Sequence, residues 1–314
     1  MRNRANSLRL GTRGSDLALW QARRITALIG DRLGLTCEIE IIKTRGDRIQ
    51  DVAFRKMEGK GFFTKELQDA LVEDRIDLVV HSLKDLPTDE PEGLEIAAIP
   101  ERADPADMVL VLPRRLDPTP ADPLGLPEGT ILGTSSLRRA AQALVCNPRI
   151  EVRALRGNVP TRVRKLRDGD YDAILLAAAG VRRLDLDLGG LECRELPPEV
   201  MLPAPGQGAF AIETRAGDPT TRRLAELNDH SIARCVEAER RLLELLGGGC
   251  HLPLGCLATE DKSGLRLQAV LGEIDDEATH AEVMRVGSLA QDPETAAQVC
   301  YNALRLAGQI GVGP

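Results

Sequence analysis

Aromatic side chains are scarce in this chain, whose 314 residues include one Trp, two Tyr and four Phe. Proteins that bind single-stranded nucleic acid stack bases on aromatic side chains, so little is present here to build that function. The seven cysteines are an odd number, form no CxxC pair and are spread over the whole length. This distribution argues against a disulfide framework or a zinc ribbon, and it predicts reduced thiols in a cytoplasmic protein without a bound metal.

Long apolar runs are also missing. No uncharged run free of Gly and Pro is long enough to span a bilayer, and the first residues carry positive charge without the apolar core of a signal peptide. We therefore expect a soluble protein that does not enter a membrane. The length and the hydrophobic content of 43% are those of a globular protein with two or three domains.

Charge is distributed unevenly along the chain. The formal net charge of −7 argues against a surface made as a whole for a polyanion such as nucleic acid. The segment 138–167 is the exception, because Glu151 is its single acid. Its basic residues are Arg138, Arg139, Arg149, Arg153, Arg156, Arg162, Arg164, Lys165 and Arg167. Basic runs are usually solvated helix faces, and Arg164, Lys165 and Arg167 fit that reading.

The order of apolar patterns predicts the fold class. Short apolar runs alternate with helical patterns over the first two hundred residues, which is typical of α/β proteins with a largely parallel sheet. Segment 99–107 contains two Pro, segment 197–208 is rich in Pro and Gly, and the two segments predict two crossings between domains. We expect a second domain inserted in the first, with 209–215 returning to the first sheet, and a smaller C-terminal α+β unit. The predicted domains are 1–104 with 202–226, 105–201, and 227–314.

The motif HSLKDLP, residues 81–87, follows a predicted buried strand. It therefore lies at the carboxyl edge of the sheet, where open α/β sheets bind ligands. Asp85 is the candidate functional residue in this motif. The alternative is a turn or helix-cap aspartate, which is the more common role of a single Asp near Pro.

Arginines follow three successive predicted strands. GTSSLRR (133–139) opens a helix that Ser135 or Thr134 can cap. Arg138 and Arg139 fall in its first turn, where the helix dipole disfavours cations and a bound anion would remove the conflict. LRGNVPTR (155–162) and AAAGVRRL (177–184) place further arginines after the next two strands. The pattern predicts a ligand with several carboxylates or phosphates, bound between the two α/β domains.

The stretch ELLGGGCHLPLG, residues 244–255, places Cys250 in a loop flanked by glycines. A metal site at Cys250, His251 and Cys256 lacks a second cluster to complete it. Two other functions stay open on these residues alone. A solute-binding or ligand-sensing protein would account for the arginines without chemistry, and a cysteine-nucleophile acyl transferase would need a positioned base beside Cys250.

Eight motifs in order resemble the porphobilinogen deaminase family, also called hydroxymethylbilane synthases, over nearly the whole chain. They are TRGSDLALWQ, TRGD, GKGFFTKEL, HSLKDLP, GTSSLRR, LRGNVPTR, PAPGQGA and GGGCHLPLG. The resemblance implies an α/β fold of two periplasmic-binding-protein-like domains with a hinge between them, plus a small C-terminal α+β domain. It also implies a dipyrromethane cofactor attached covalently to the cysteine that matches Cys250.

The activity implied by the resemblance is that of a monomeric transferase of tetrapyrrole biosynthesis. Such an enzyme deaminates four molecules of porphobilinogen, joins them head to tail on the cofactor and releases hydroxymethylbilane by hydrolysis. Asp85 matches the catalytic aspartate, while Phe63 and Lys60 match a stacking residue and part of a lid. By the same resemblance, the substrate or cofactor is bound by Arg13, Ser15, Lys84, Thr134, Ser136, Arg138, Arg139, Arg156, Asn158, Arg162 and Arg183.

Overall fold

The structure is a computed structural model that describes residues 7–44, 64–89, 91–113, 123–249 and 252–307. Three residues singled out by the sequence, Lys60, Phe63 and Cys250, lie outside these ranges. The chain divides into two compact units, Met1–Ala103 with Gly208–Ala233 and Asp104–Gln207 with Arg234–Pro314. The boundaries of three domains stay a prediction. No helix within the described ranges is both long and apolar enough to cross a membrane.

The first unit is built on a five-stranded sheet. Its strands are β1 (Ser7–Thr12), β2 (Thr36–Ile41), β3 (Leu78–Ser82), β4 (Leu94–Ala98) and β10 (Phe210–Arg215). The strand order is β2-β1-β3-β10-β4; β1 is parallel to β2 and β3, and β10 is antiparallel to β3 and β4. The predicted return of 209–215 to the first sheet is confirmed.

Helices cover this sheet. They are α1 (Asp16–Leu33), α2 (Lys65–Val72) and α6 (Pro219–Leu224). Helix α1 begins after Ser15, whose side chain accepts a hydrogen bond from the Ala18 N–H, and it ends at Gly34 in the left-handed conformation that glycine favours. Its buried Ile25 and Ile29 pack against the sheet together with Leu10 and Phe210.

The second unit contains a sheet with the same arrangement. Its strands are β5 (Asp107–Val111), β6 (Ile131–Gly133), β7 (Glu151–Arg153), β8 (Ala173–Ala177) and β9 (Glu192–Leu196). The order is β7-β6-β8-β5-β9, with β6 parallel to β7 and β8, and with β5 antiparallel to β8 and β9. The connecting helices are α3 (Leu137–Cys146), α4 (Val159–Arg167) and α5 (Ala178–Arg183).

The C-terminal part of the second unit is a three-stranded antiparallel sheet with helices. Its elements are α7 (His230–Leu245), β11 (Leu254–Asp261), β12 (Gly264–Ile274), β13 (Ala281–Ala290) and α8 (Pro293–Leu306). Helix α3 packs closely on this sheet, because a Cβ added at Gly272 would lie 2.7 Å from the Cβ of Ala141. The predicted fold class, two α/β sheets plus a small C-terminal α+β part, is confirmed.

Candidate functional site

Asp85 lies at the end of β3, as the sequence predicts. The strand ends at Ser82, and Leu83–Asp85 form one 3-10 turn whose Leu83 N–H donates to the Ala209 carbonyl. The Asp85 side chain is exposed and has neither a hydrogen bond nor an ion pair among the described residues. Within those ranges it caps no helix, and neither of its carboxylate oxygens is engaged by a protein donor.

Buried polar side chains hold the strand that leads to Asp85. His81 Nε2 lies 2.9 Å from Glu213 Oε2, and Gln68 Nε2 donates to Glu213 Oε1 at 2.8 Å. His81 and Glu213 are both buried. Gln21 Nε2 donates to Ser82 Oγ at 2.7 Å. Helix α1 is thus bonded directly to the end of β3, and α2 is connected to β3 through Glu213 of β10.

Three other candidates on this unit, Arg13, Ser15 and Lys84, are half-buried. Arg13 follows β1, at the same carboxyl edge of the sheet as Lys84 after β3. Ser15 follows Arg13, and its side-chain oxygen is the N-cap of α1, with the Ala18 N–H at 3.4 Å. The parallel pairing of β1 and β3 brings the backbone of these candidates to one edge of the sheet.

The cap of α3 differs from the prediction that Ser135 or Thr134 provides it. Ser136 is the N-cap, with extended φ and ψ, and its side chain accepts from the Arg139 N–H. Ser135 Oγ instead donates to the Leu155 carbonyl, and Thr134 Oγ1 accepts from the Ser136 N–H. The prediction was wrong because these side chains bond to the loops around them, so the helix begins one residue later.

Arg138 and Arg139 are buried and share one carboxylate. Arg138 Nη1 donates to Asp107 Oδ2 at 2.5 Å and to the Leu202 carbonyl at 2.7 Å. Arg139 donates to Asp107 Oδ1 through Nη2 at 2.7 Å and through Nε at 3.1 Å, and its Nη1 donates to the Leu175 carbonyl. Gln207 Nε2 also donates to Asp107 Oδ1. Part of the anion expected at this helix end is supplied by the protein itself.

This arrangement lowers the pKa values of both Asp107 and Arg138. Burial alone would raise the pKa of Asp107, but the two guanidinium groups hold the pKa of this carboxyl well below its usual range. Burial lowers the pKa of Arg138 although Asp107 opposes the effect, and the neighbouring Arg139 lowers it further. Asp107 is therefore ionised, and the two arginines exceed it by one positive charge.

The loop before α4 carries the next candidates. Asn158 is the N-cap of α4 and accepts from the Thr161 N–H at 3.0 Å, while Arg162 Nε donates to the Gly157 carbonyl. Gly157 has a φ of 111°, and a Cβ there would meet Thr161 at 2.6 Å. The loop is therefore tied to the first turn of its own helix. Arg156, Arg162 and Arg183 are half-buried.

Basic side chains on the far end of α4 differ from one another. Arg164 is exposed, in agreement with a solvated helix face. Arg167 is exposed too, but its Nη2 donates to the carbonyls of Asp187 and Gly189 and so holds a neighbouring loop. Arg164 is consequently the better control when the arginines of the candidate site are replaced.

The segments on either side of Cys250 are anchored. Helix α7 ends at Leu245, and Gly247 follows with a φ of 80°. After Cys250, the Cys256 N–H donates to the Pro203 carbonyl at 2.8 Å. Leu202, the residue before Pro203, bonds to α3 through Arg138 and through Gln142, whose side chain also accepts from the Leu202 N–H.

Glu239 of α7 makes a second connection. It is fully buried, and its carboxylate accepts from the N–H groups of Gly206 at 2.7 Å and Ala258 at 2.9 Å. The helix before Cys250, the strand after it and the loop around Gly206 are thereby joined at one carboxylate. Because each carboxyl oxygen accepts from a different segment, this side chain fixes the three segments relative to one another.

Asp107, Leu202 and Glu239 were not predicted from the sequence. Asp107 is an acid at the start of the strand DMVLV, which is buried throughout. An acid in such a strand indicates a buried ion pair, because buried charges are paired. Leu202 acts through its backbone, which carries no sequence signal. Glu239 lies on the helix face with Val236 and Leu242, where an acidic residue interrupts the apolar pattern.

Two solved structures match this chain at low sequence identity. An ancestral cationic amino acid solute-binding protein is 14% identical, with a TM-score of 0.46 over 71% of this chain and 89% of that chain. A probable amino-acid ABC transporter extracellular-binding protein, ytmK from Bacillus subtilis, is 11% identical, with a TM-score of 0.43 over 71% of this chain and 90% of that chain.

Family comparisons cover nearly all of the chain. Residues 8–223 match the family described as porphobilinogen deaminase, dipyromethane cofactor binding domain, and residues 233–305 match the porphobilinogen deaminase C-terminal domain. The porphobilinogen deaminase of Syntrophobacter fumaroxidans is 46% identical over 289 residues, 90% of each chain. That of Syntrophomonas wolfei is 43% identical over 271 residues, 86% of each chain. The chain therefore belongs to the porphobilinogen deaminase family.

Proposed function

We propose that this protein is a transferase that deaminates porphobilinogen and joins four units head to tail on a dipyrromethane group carried by Cys250, then releases hydroxymethylbilane. One observation carries the proposal beyond family membership. Leu202 and Pro203 bond the arginine-bearing helix α3 and the strand that follows Cys250. A carboxylate-bearing group attached to the thiol would therefore be connected, through this segment, to an arginine that can bind its carboxylates.

The residues present fit such a group in two respects. Arg138 is buried, and its Nε and Nη2 donors are not used by the described residues. Asp85 is an exposed carboxylate without a hydrogen-bond partner among those residues, suited to accept pyrrole N–H bonds. When bound, dipyrromethane supplies a pyrrole with a free α-carbon to which each new unit is joined.

Asp85 is the residue that we assign to the chemistry. Loss of ammonia from the aminomethyl group of porphobilinogen leaves a cation, and a nearby carboxylate stabilises such a cation. The same carboxylate accepts the pyrrole N–H and exchanges protons at deamination and coupling. An amide at this position would accept a hydrogen bond but would neither carry the charge nor take the proton.

The arginines are assigned to binding. Each pyrrole of porphobilinogen carries an acetate and a propionate, so every addition brings two more negative charges. Guanidinium groups bind carboxylates through two parallel hydrogen bonds. We assign the carboxylates of the cofactor and of the growing chain to Arg13, Ser15, Lys84, Thr134, Ser136, Arg138, Arg139, Arg156, Asn158, Arg162 and Arg183, and we keep Lys60 and Phe63 as lid and stacking residues.

The cellular location, oligomeric state and partner of the enzyme are also proposals. We place the enzyme in the cytoplasm as a monomer, with porphobilinogen as its small-molecule partner and without nucleic acid. All six cysteines in the described ranges are free thiols, as expected of a reducing compartment. Size-exclusion chromatography with light scattering checks the monomer, and a dimer at micromolar concentration would contradict it.

Intact mass spectrometry tests the function. The purified chain is expected to exceed its sequence mass by two pyrrole units, and Cys250→Ser is expected to fold without that adduct, because a serine hydroxyl forms this linkage poorly. Cys256→Ser is the matched control and should keep the adduct, since Cys256 is fully buried. An unmodified wild-type protein that does not consume porphobilinogen would refute the proposal.

A second experiment separates the binding residues. Arg138→Gln or Arg156→Gln removes a charge-assisted hydrogen bond, which costs about 1.5–3 kcal/mol. After limited addition of porphobilinogen, native mass spectrometry should show either protein without cofactor or loaded enzyme stalled at one chain length. Arg164→Gln should leave the series of adducts unchanged. Equal stalling in the Arg164 variant would contradict the assignment of the loop arginines.

A further inference from the structure

The loop between β7 and α4, which carries Arg156, is held by hydrogen bonds to its backbone. Three successive carbonyls before Arg156 each accept from a different residue. The carbonyl of Arg153 accepts from the Thr134 N–H at 2.9 Å, that of Ala154 from the Tyr171 hydroxyl at 2.6 Å, and that of Leu155 from Ser135 Oγ at 2.9 Å. The backbone that leads into Arg156 is therefore fixed by groups outside the loop.

Tyr171 connects this loop to the sheet of the second unit. It lies two residues before β8 and is only 9% exposed. Its ring lies against the end of β6, because a Cβ added at Gly133 would be 2.7 Å from Tyr171 Cδ1. Burial and the neighbouring Asp170 raise the pKa of Tyr171 above its usual range, so the hydroxyl is protonated and donates at neutral pH. The donor to Ala154 is thus held in place by packing.

Ser135 connects the same loop to the start of α3. It lies between Thr134 and Ser136, which are both assigned to ligand binding. Its acceptor belongs to Leu155, a fully buried residue in the same apolar cluster as Tyr171. The loop before α3 and the loop before α4 are thus bonded at two points, through the Thr134 N–H and through Ser135 Oγ.

The other side of Arg156 is fixed by α4, whose Arg162 Nε donates to the Gly157 carbonyl at 2.7 Å. Arg156 therefore projects from a short stretch of backbone that is bonded on both sides. An arginine loses much rotamer freedom when it binds a ligand. Fixing its backbone beforehand lowers the remaining entropic cost of binding, which is the general advantage of a preorganised site.

We propose that Tyr171 is a positioning residue whose hydroxyl, together with that of Ser135, fixes the loop from which Arg156 binds a carboxylate of the pyrrole chain. The proposal rests on the proposed function, which assigns Arg156 to those carboxylates. Arg156 makes the ligand contact in this assignment. Tyr171 and Ser135 act through the backbone carbonyls of Ala154 and Leu155.

A double-mutant cycle on chain elongation tests the proposal. Wild type, Tyr171→Phe, Arg156→Gln and the double variant receive a limited amount of porphobilinogen, and native mass spectrometry follows the adducts with time. Tyr171→Phe keeps the buried ring and should fold. It is expected to accumulate the same species as Arg156→Gln, with that step slowed about three- to tenfold by the loss of one hydrogen bond. The double variant should be no slower than Arg156→Gln, because Tyr171 acts through Arg156.

The other tyrosine of the chain supplies the matched control. Tyr301 lies on α8 and packs against the C-terminal sheet, so Tyr301→Phe should elongate like the wild type. Ser135→Ala removes the second bond to the loop and should accumulate the same species as Tyr171→Phe. Ser135→Thr keeps a hydroxyl and should elongate like the wild type. Thermal unfolding of each variant reports stability separately from elongation.

The outcomes are distinct. The proposal is wrong if Tyr171→Phe elongates as Tyr301→Phe does, or if it accumulates a different species from Arg156→Gln. It is also wrong if the double variant is slowed by the product of the two single factors. A purely structural role predicts a lower unfolding temperature with all elongation steps affected alike. A wild type that never carries the two-pyrrole adduct would instead refute the proposed function.

Discussion

Gly255 lies where β11 passes the backbone of Leu202, and replacing it by Ala would disturb that contact. A Cβ added there would lie 2.7 Å from the Leu202 carbonyl oxygen and 2.9 Å from Val270 Cγ1. Gly255 is not in the left-handed region, so steric overlap alone determines the effect. The crowded carbonyl is the one that accepts from Arg138 Nη1 and from Gln142 Nε2.

The magnitude follows from two opposing terms. Overpacking of this kind costs about 1–3 kcal/mol, while Gly→Ala gains about 0.4–1 kcal/mol by restricting the unfolded chain. We expect Gly255→Ala to lower the free energy of unfolding by about 1–2 kcal/mol, which is about 0.5–1 M in the urea midpoint for a slope of about 2 kcal/mol/M.

Equilibrium urea unfolding measures this change, and Gly287→Ala is the matched control. Gly287 belongs to the same three-stranded sheet, and a Cβ there would meet its nearest atom, the Leu267 carbonyl oxygen, at 3.6 Å. This control should be as stable as the wild type or slightly more stable. If Gly255→Ala matched the control, the close approach of β11 to Leu202 would not constrain the protein, and the reasoning would be refuted. If it is destabilised, slower cofactor loading should accompany it, since Leu202 also holds Arg138.

Three further predictions concern single carboxylates. Asp85→Asn should keep the adduct mass while turnover falls by about 10²-fold or more, because a proton-transferring or charge-stabilising group is lost. A kcat near that of the wild type would show that Asp85 is an ordinary turn residue without a catalytic role. Glu239→Gln should destabilise the protein by about 1.5–3 kcal/mol in urea unfolding, because an amide cannot accept from both the Gly206 and Ala258 N–H groups with equal strength; an unchanged midpoint would contradict that joint. The folded-state pKa of Asp107 is lowered, so its stabilisation is complete above an unfolded pKa of about 3.9 and is lost as pH falls. The stability gap between wild type and Asp107→Asn should therefore shrink by about 1.3 kcal/mol between pH 7 and pH 3, and a gap that widens in acid would show the opposite sign.

Some features of the site were readable from local sequence. Asp85 was placed correctly because a buried apolar run followed by polar residues identifies the end of a strand, and parallel strands present those ends at one edge. The return of β10 was readable because 209–215 is a strand pattern that follows a segment rich in Pro and Gly. Each of these signals lies in one continuous stretch of the sequence.

Other features depend on residues far apart in sequence. Asp107 is 31 and 32 residues from the arginines that it binds, so nothing beside it in the chain identifies its partners. The cap of α3 was misplaced because three consecutive hydroxyl residues can each act as a cap, and bonds to Leu155 and to the loop itself decide among them.

The position of β10 has a consequence for synthesis of the chain. This strand fills the gap between β3 and β4, and its Phe210 pairs with Ser82, more than a hundred residues earlier. During translation, β1 to β4 leave the ribosome first and must wait for more than a hundred further residues before the strand between them exists. Until then β3 and β4 each expose an unpaired edge, which is the kind of surface that chaperones protect and that aggregates when it is left uncovered. The five-stranded sheet of the second unit contains only strands from one continuous stretch, β5 to β9, so it can form while the first sheet still lacks β10. Slow closure of the first sheet is therefore expected to limit the rate of folding.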